Sequence, residues 1–300
     1  MTNNKLQFGV LTLQYFPWDQ EVARWQRMEA LGFDSIWLAD HFVNYMQPTA
    51  PWFEAWTLLA ALATHTKRIR IGTLVTPIGW RNPAWLSRQA LTVDHISNGR
   101  LEIGIGAGAP AQIDCSYTMT GTPDWAPAER VARVRETVQI LDALLTNEVT
   151  TFKGKYYQLQ ETAMSPPTIQ QPRPPITIGA LGPKMLKVTA QYADTWNSYG
   201  GDNLSAEEML NRTQERNDRL DVYCSAIGRD PKTLKRSLLL YGAPADIAYS
   251  SVTGFHDVIG QYREAGIEEF IMYYPFMDQH VPVFEQIVND ELPKLRNSTE

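Results

Sequence analysis

The sequence predicts a (β/α)8 barrel formed as a single domain over residues 1–300, and three observations support this fold class. The chain has 300 residues, which is close to the length of a typical barrel of this kind, about 250 residues. Short apolar segments alternate with helical segments of about 10 to 15 residues, which indicates βαβ units and a parallel sheet. Eight such strands can be counted along the chain. This count favours a closed barrel over an open doubly wound sheet.

The first half of the chain supplies four strand–helix units. Strands are predicted at Leu6–Leu13, Ile36–Ala39, Ile69–Thr76 and Arg100–Ala109. A helix is expected after the first strand because apolar residues recur there at three-residue steps, at Val22, Trp25, Met28 and Leu31. Further helices are expected over Phe53–Thr64 and from Pro83 to about Ile96, with proline in the first turn.

The second half supplies four more units and one interruption. After a helix over Pro127–Leu145, the segments Val149–Phe152 and Tyr156–Leu159 flank Lys153-Gly154-Lys155 and predict a hairpin inserted between strands four and five. The last four strands are predicted at Ile176–Ala180, Asp194–Ser198, Leu234–Tyr241 and Glu269–Tyr273. Helices are expected from Pro183, from the capping box that starts at Ser205, over Phe255–Ala265 and over Val281–Leu295.

The composition argues against several classes of partner. The net charge is −6 and the chain has no long basic run, so we expect no nucleic-acid partner. The two cysteines, Cys115 and Cys224, are far apart, and the five histidines lack the spacing of metal ligands, so we expect no disulfide framework and no metal. No apolar run approaches the length of about 20 residues that a helix needs to span a bilayer. With no signal peptide expected, the sequence predicts a soluble cytoplasmic protein without a membrane partner.

An ionisable pair follows the second predicted strand. Asp40 and His41 come directly after the apolar run Ile36–Ala39, and reactive side chains of barrel enzymes lie at the C-terminal ends of strands. Histidine, with an ordinary pKa of about 6.5, can give or take a proton near neutral pH, and a neighbouring carboxylate can hold its tautomer and its charged form. The alternative is a surface pair that only stabilises a turn.

Two glycine-rich strand ends are candidate cofactor contacts. Gly179–Gly182 leads into a helix, where free N–H groups and glycine backbone favour an anion such as a cofactor phosphate; the alternative is an ordinary tight turn. Gly104–Gly108 lacks the G-x-G-x-x-G spacing of a dinucleotide-binding fold and lies on the fourth strand. Its small side chains instead suggest room for a flat ring against the backbone.

Five stretches in order resemble one known family. They are Asp34–Phe42, Gly72–Pro77, Arg81–Ala84, Asn98–Gly108 and Ala193–Asn197. Together they resemble the bacterial-luciferase-like flavin and deazaflavin oxidoreductases, with the resemblance strong over residues 6–200 and looser beyond.

The resemblance implies a barrel that binds coenzyme F420 or, alternatively, FMN. It implies His41 as the acid–base residue, Asp40 as its orienting partner, and a non-proline cis peptide at Leu74–Val75. The ring contacts that it implies are Leu74, Val75, Thr76, Gly106, Ala107 and Gly108, and the phosphate contacts are Gly179, Ala180, Leu181 and Gly182.

The chain also departs from the family pattern. Relatives often have tryptophan or glutamate after Gly-Ala-Gly, whereas this chain has Ala109-Pro110, so the substrate contacts of the 109–125 loop are open. At the first strand end, where some F420 enzymes have glutamate, it has Gln14-Tyr15. Aromatic residues near the predicted strand ends suggest a bulky or flat apolar substrate, unless some of them only close the barrel: Tyr15, Trp18, Tyr45 and Trp80, with Trp125 and Tyr199.

These expectations lead to one favoured function and two alternatives. The favoured function is F420-dependent hydride transfer to or from a small, bulky or aromatic organic substrate. The first alternative is an FMN-dependent, two-component monooxygenase that needs a flavin reductase as partner. The second is a non-catalytic flavin-binding barrel. We also expect a homodimer or a higher homo-oligomer.

Overall fold

A computed structural model describes residues 6–275 and 277–297 of the chain. The strands are β1 (Gln7–Thr12), β2 (Ser35–Leu38), β3 (Arg70–Thr73), β4 (Thr76–Pro77), β5 (Leu101–Gly106), β6 (Val149–Lys153), β7 (Gln158–Ala163), β8 (Ile176–Gly179), β9 (Thr195–Ser198), β10 (Lys235–Leu240) and β11 (Glu269–Tyr273). The helices are α1 (Trp18–Ala30), α2 (Ala55–His65), α3 (Pro83–Ser97), α4 (Ser116–Thr120), α5 (Pro127–Thr146), α6 (Pro183–Tyr192), α7 (Ala206–Ala226), α8 (Ala243–Ala248), α9 (Val252–Glu264), α10 (Val281–Gln286) and α11 (Leu292–Asn297), with a π-helical segment at Ile287–Glu291 and single 3₁₀ turns at Pro231–Thr233 and Asp278–His280.

Nine strands form one sheet in the order β3-β2-β1-β11-β10-β9-β8-β5-β4, and β3 also pairs with β5, so the order is circular. The third predicted strand is present as two pieces, β3 and β4, separated at Leu74 and Val75. The inserted hairpin consists of β6 and β7, which pair antiparallel. By contacts between residues, the chain divides into two compact units: unit 1 is Met1–Thr12, Met28–Ile36 and Ala180–Glu300, and unit 2 is Leu13–Arg27 and Trp37–Gly179.

Unit 2 is built around β5, whose six residues are all buried. This strand pairs in parallel with β3, β4 and β8, and burial on both sides explains its apolar composition. Helices α2 and α3 begin at side-chain N-caps: the Glu54 carboxylate accepts from Trp56 and Thr57 N–H, and Asn82 Oδ1 accepts from Ala84 N–H. Both helices therefore start at defined points directly after the loops that follow β2 and β4.

Unit 1 is built around β11, which pairs in parallel with β1 and β10. Phe8 stacks on Phe270 with ring centroids 6.0 Å apart and tilts against Phe255 of α9 at 6.4 Å. All three rings are fully buried, so this aromatic cluster attaches α9 to the sheet. Helix α7 begins at the predicted capping box of Ser205 and Glu208.

Two short helices were not expected from the sequence. Helices α4 and α8 have five and six residues, which is too short for a 3.6-residue apolar period to be visible. Among the described residues, no helix is both long and apolar enough to cross a membrane.

Candidate active site

Asp40 lies in the interior of unit 2, directly beyond β2, with only 2% of its surface exposed. Its carboxylate accepts from Arg81 Nη1 at 2.5 Å and Nη2 at 3.1 Å, and from the Thr76 hydroxyl at 2.8 Å. Burial raises the pKa of Asp40, while the Arg81 guanidinium and the Thr76 hydroxyl oppose that shift. The contact with Arg81 is bidentate, which is the geometry in which a guanidinium binds a carboxylate most strongly.

His41 points to a different partner. Its Nδ1 lies 2.7 Å from Oδ2 of Asp114, a residue of the loop after β5. The prediction that Asp40 orients His41 is therefore wrong, because the Asp40 carboxylate is engaged by Arg81 and Thr76. The His41 side chain keeps 24% of its surface exposed, whereas that of Asp114 keeps 2%. The imidazole thus faces outward from a buried carboxylate.

The surroundings of Asp114 keep it charged. Burial opposes ionisation, but hydrogen bonds from His41 and from Ser116 outweigh burial and hold the pKa of Asp114 below its ordinary value of 3.8. The Ser116 N–H donates to Oδ1 at 2.9 Å, at the start of α4. An ionised carboxylate can only accept, so His41 Nδ1 carries the proton, and Nε2 is the atom that can give or take one.

Four hydrogen bonds from side chains hold the backbone near His41 in place. The Gln14 amide donates to the carbonyl of Ala39 at 2.5 Å and to that of Phe53 at 3.2 Å. The Trp52 indole N–H donates to the His41 carbonyl at 2.9 Å, and the Trp80 indole N–H donates to the Asp40 carbonyl at 3.1 Å. These contacts restrict the backbone of His41 and therefore the position of its imidazole.

The 109–125 loop is fastened by Arg130 of α5, which is 6% exposed. Its guanidinium donates to the carbonyls of Gly108 at 2.9 Å, Ala109 at 2.7 Å and Trp125 at 2.8 Å, and it pairs with Asp124. Both ends of the loop are therefore bound to one cation. The loop that departs from the family pattern supplies the carboxylate beside His41.

The peptide bond between Leu74 and Val75 is cis, as the resemblance implied. The neighbouring glycines also have a packing reason: a Cβ on Gly106 would lie 2.4 Å from Val75 Cγ2, and one on Gly108 would lie 2.2 Å from the Tyr117 hydroxyl. Contact between a ring and Gly106, Ala107 or Gly108 stays a prediction, and the last two of these residues are half-buried.

The Thr76 side chain is placed differently from the expectation that it contacts a ring. The residue is fully buried, and its Oγ1 accepts from the Trp56 indole at 2.9 Å, lies 2.9 Å from the Thr73 hydroxyl and donates to Asp40. Its hydroxyl therefore supports Asp40, and the predicted contact of Thr76 with a ring stays a prediction.

In unit 1, Ala180, Leu181 and Gly182 lead into α6, whose first turn has no side-chain N-cap. A Cβ on Gly182 would meet no heavy atom within 4 Å, so the space beside it is open. Arg216 of α7 donates to the Leu181 carbonyl at 3.1 Å, which brings a cation to this loop. Open N–H groups at a helix start and a nearby guanidinium fit the predicted anion contact. Gly179, the remaining predicted phosphate contact, ends β8 in unit 2.

The four predicted substrate contacts separate into two groups. The Tyr45 ring centroid lies 5.0 Å from that of His41, and the Trp80 indole donates to the Asp40 carbonyl. Both aromatic residues therefore lie beside Asp40 and His41. Trp18 instead packs against Trp25 and His65.

His65 ends α2, nine residues and about 13 Å along the helix from Trp56, which touches Thr76. Trp18 therefore lies at the end of α2 that is away from Trp56, and its predicted substrate contact stays a prediction. Tyr15 stacks on Phe16 at 4.5 Å, and its role stays a prediction.

Sequence reasoning missed Asp114, Arg81, Trp52 and Arg130 as members of this site. Arg81 was visible as part of a matched stretch, and Asp114 as the one carboxylate in the segment 109–123. Neither signal specifies a partner. Among the described residues, no group of three or more His, Cys, Asp or Glu side chains is arranged to hold a metal ion.

Comparisons with known proteins agree with this architecture. The profile of the luciferase-like monooxygenase family matches residues 3–248. An F420-dependent glucose-6-phosphate dehydrogenase of Intrasporangium calvum is 30% identical over 256 residues, which cover 80% of this chain and 74% of that protein. Its namesake from Amycolatopsis mediterranei is 36% identical over 171 residues, or 56% of this chain and 49% of that protein. The match thus spans about half the length of the Amycolatopsis protein.

The fold is shown by solved structures. An F420-dependent secondary alcohol dehydrogenase, solved with an F420–acetone adduct, superimposes with a TM-score of 0.79 at 20% identity and covers 96% of this chain and 100% of that one. The (β/α)8 barrel predicted from the sequence is confirmed. Because the family profile matches more than half of the chain, the predicted family is confirmed as well: this protein belongs to the luciferase-like monooxygenase family.

Proposed function

We propose that this chain is an F420-dependent oxidoreductase that transfers a hydride between the deazaflavin and an alcohol or carbonyl substrate. The observation that carries the proposal is the contact of 2.7 Å between His41 Nδ1 and Asp114 Oδ2, which leaves a partly exposed imidazole free to exchange a proton at Nε2. The F420-dependent dehydrogenases among its relatives support the choice of cofactor.

When bound, F420 would supply a ring that accepts or donates a hydride. His41 performs the matching proton transfer: Nε2 takes the hydroxyl proton as an alcohol becomes a carbonyl, and returns it in the opposite direction. Asp114 accepts a hydrogen bond from the Nδ1–H and stabilises the imidazolium that forms. The buried set of Asp40, Arg81 and Thr76 positions the His41 backbone and takes no part in the proton transfer.

The residues present fit such a cofactor. The backbone of Leu74 and Val75, with Gly106, Ala107 and Gly108, would contact the ring. The uncapped start of α6 after Gly182 would bind a phosphate through backbone N–H groups. These assignments rest on open space at Gly182 and on the resemblance to the family.

A second candidate function is FMN-dependent monooxygenation, which the family description favours. It would require a flavin reductase as partner. A non-catalytic flavin-binding barrel is disfavoured by the His41–Asp114 pair, because the pair presents a partly exposed imidazole after a strand end, where barrel enzymes carry their reactive side chains.

Titration of the cofactor-free protein with F420 and, separately, with FMN tests the proposal through the fluorescence of each ring. We expect tight F420 binding and weaker FMN binding. Tight FMN binding with negligible F420 binding would instead support the monooxygenase. If both cofactors bind and no alcohol reduces F420, the non-catalytic alternative is favoured.

The proposal includes a cytoplasmic protein with a single folding domain that forms a homodimer or a higher homo-oligomer. Sedimentation equilibrium of the purified chain tests the oligomer, and a single cooperative unfolding transition that coincides by fluorescence and circular dichroism tests the single domain.

A further inference from the structure

Large apolar side chains are exposed on the two loops that meet at His41. Phe42 is 61% exposed and Met46 78%, both on the loop after β2, and Ile113 on the loop after β5 is 58% exposed. Monomeric proteins seldom expose such side chains in a group unless the group binds something. Phe42, Tyr45, Met46 and Ile113 together form the apolar collar.

The His41–Asp114 contact brings together the two loops that carry the collar. Phe42 follows His41 in the chain and Ile113 precedes Asp114, and consecutive Cα atoms are about 3.8 Å apart. Tyr45 lies with its ring centroid 5.0 Å from that of His41. The Asn44 side chain accepts from Met46 N–H at 3.1 Å, which shapes the turn that carries Tyr45 and Met46. Tyr45 of the collar therefore contacts the imidazole that the proposed function uses, and Phe42 and Ile113 are the sequence neighbours of the two paired residues.

The collar is also poor in charge. Residues 41–53 contain no Lys, Arg, Asp or Glu, and residues 107–123 contain only Asp114. The nearby guanidinium groups are engaged, since Arg81 binds Asp40 and Glu54 and Arg130 binds Asp124. A phosphate brought to these two loops would meet apolar groups and no Lys or Arg of residues 41–53 or 107–123, so the cost of its desolvation would be poorly compensated.

We propose that the apolar collar binds an uncharged apolar ring or chain of the substrate, so that this protein acts on neutral alcohols or ketones in preference to phosphorylated sugars. This inference rests on the proposed function, because it concerns the same imidazole. It separates the chain from the glucose-6-phosphate dehydrogenases that it resembles. Met46 and Ile113 are the residues that determine this preference, since they add contact area and take no part in proton transfer.

Binding and turnover together test the collar. Calorimetry on the F420-loaded protein measures the Kd of acetophenone, and the loss of F420 absorbance measures turnover of 1-phenylethanol and of glucose 6-phosphate. We expect acetophenone to bind and glucose 6-phosphate to be turned over poorly. Met46→Ser and Ile113→Ser should each raise the acetophenone Kd and the KM for 1-phenylethanol about threefold to tenfold, because apolar contact area is lost.

Val222→Ser is the matched control, because Val222 is 64% exposed on α7, outside the collar, and it should change neither constant. Equal effects of the collar variants and the control would overturn the inference, as would efficient turnover of glucose 6-phosphate or absence of acetophenone binding. A change of oligomeric mass in Met46→Ser or Ile113→Ser would show that the collar is an interface between copies. Failure of F420 to bind would reject the proposed function itself, which the cofactor titration detects separately.

Discussion

His41 Nδ1 lies 2.7 Å from Oδ2 of Asp114, which is 73 positions further along the chain, while the adjacent Asp40 carboxylate binds Arg81. Two neighbouring residues at one strand end thus have separate tasks. Asp40 belongs to the buried framework, and His41 belongs to a pair that joins two loops. This division leads to different expectations for variants of the two carboxylates.

His41→Ala should lower kcat by about 10²- to 10⁴-fold, the usual contribution of general acid–base catalysis, while the Kd for F420 changes much less. Steady-state kinetics and fluorescence titration measure the two quantities. His65→Ala is the control, because His65 lies at the end of α2 against Trp18. Full turnover by His41→Ala would show that the assigned role is wrong.

Asp114→Asn should lower kcat about 10- to 100-fold, by analogy with the loss of a partner that orients a metal-bound histidine, with little change in KM. Asparagine keeps an oxygen for the Ser116 N–H, so the start of α4 should persist. The shape of the kcat–pH profile should change as well, because the charge facing the imidazole is removed. Partial rescue by Asp114→Glu supports a positioning role, whereas a rise in KM alone would point to a loosened loop.

Acid should remove the stabilisation that Asp114 provides. Its pKa in the folded protein lies below 3.8, whereas the unfolded chain has an ordinary aspartate pKa of about 3.9. The unfolded state therefore binds the proton first as the pH falls. The stabilisation is fully present above about pH 4 and is lost as the pH falls through the folded-state pKa.

Urea unfolding of the wild type and of Asp114→Asn at several pH values measures this loss. The difference between the two free energies of unfolding should shrink as the pH falls below about 4. A difference that stays unchanged in acid would contradict this assignment.

Asp40→Asn should act mainly on stability. Replacing a buried carboxylate that Arg81 and Thr76 bind should lower the free energy of unfolding by about 1.5–3 kcal/mol, the usual value of a hydrogen bond to a charged group. Asp142→Asn is the matched control, since Asp142 also binds an arginine, Arg173, but its side chain is 54% exposed, and it should cost less than about 1 kcal/mol. A fall in kcat without loss of stability in Asp40→Asn would return a direct catalytic role to this residue.

Gly182→Val should weaken F420 binding and leave the fold intact. A Cβ at this position meets no heavy atom within 4 Å, and φ of −86° with ψ of 152° suits a β-branched residue. The added side chain would occupy the space beside the helix start. Gly260→Val, another position with open space around a Cβ, is the control. Unchanged affinity in folded Gly182→Val would remove this loop from the site.

The sequence by itself determined the barrel, because apolar periodicity and turn residues are local properties of the chain. The strand Glu269–Tyr273 has the predicted bounds, and the capping box at Ser205 begins α7 as expected. The position of the cis peptide at Leu74–Val75 followed from the resemblance to the family. The strand bounds and the capping box depend on residues that are close in sequence.

Only the tertiary structure decided which side chains meet. Asp114 reaches His41 because the loop after β5 is held by Arg130 and folds back to the end of β2. The Asp40 carboxylate binds Arg81, 41 positions away. Trp18 packs against His65, which is also distant from it in the sequence. Pairings of this kind depend on the course of distant loops and on burial, which the order of residues along a single chain does not reveal.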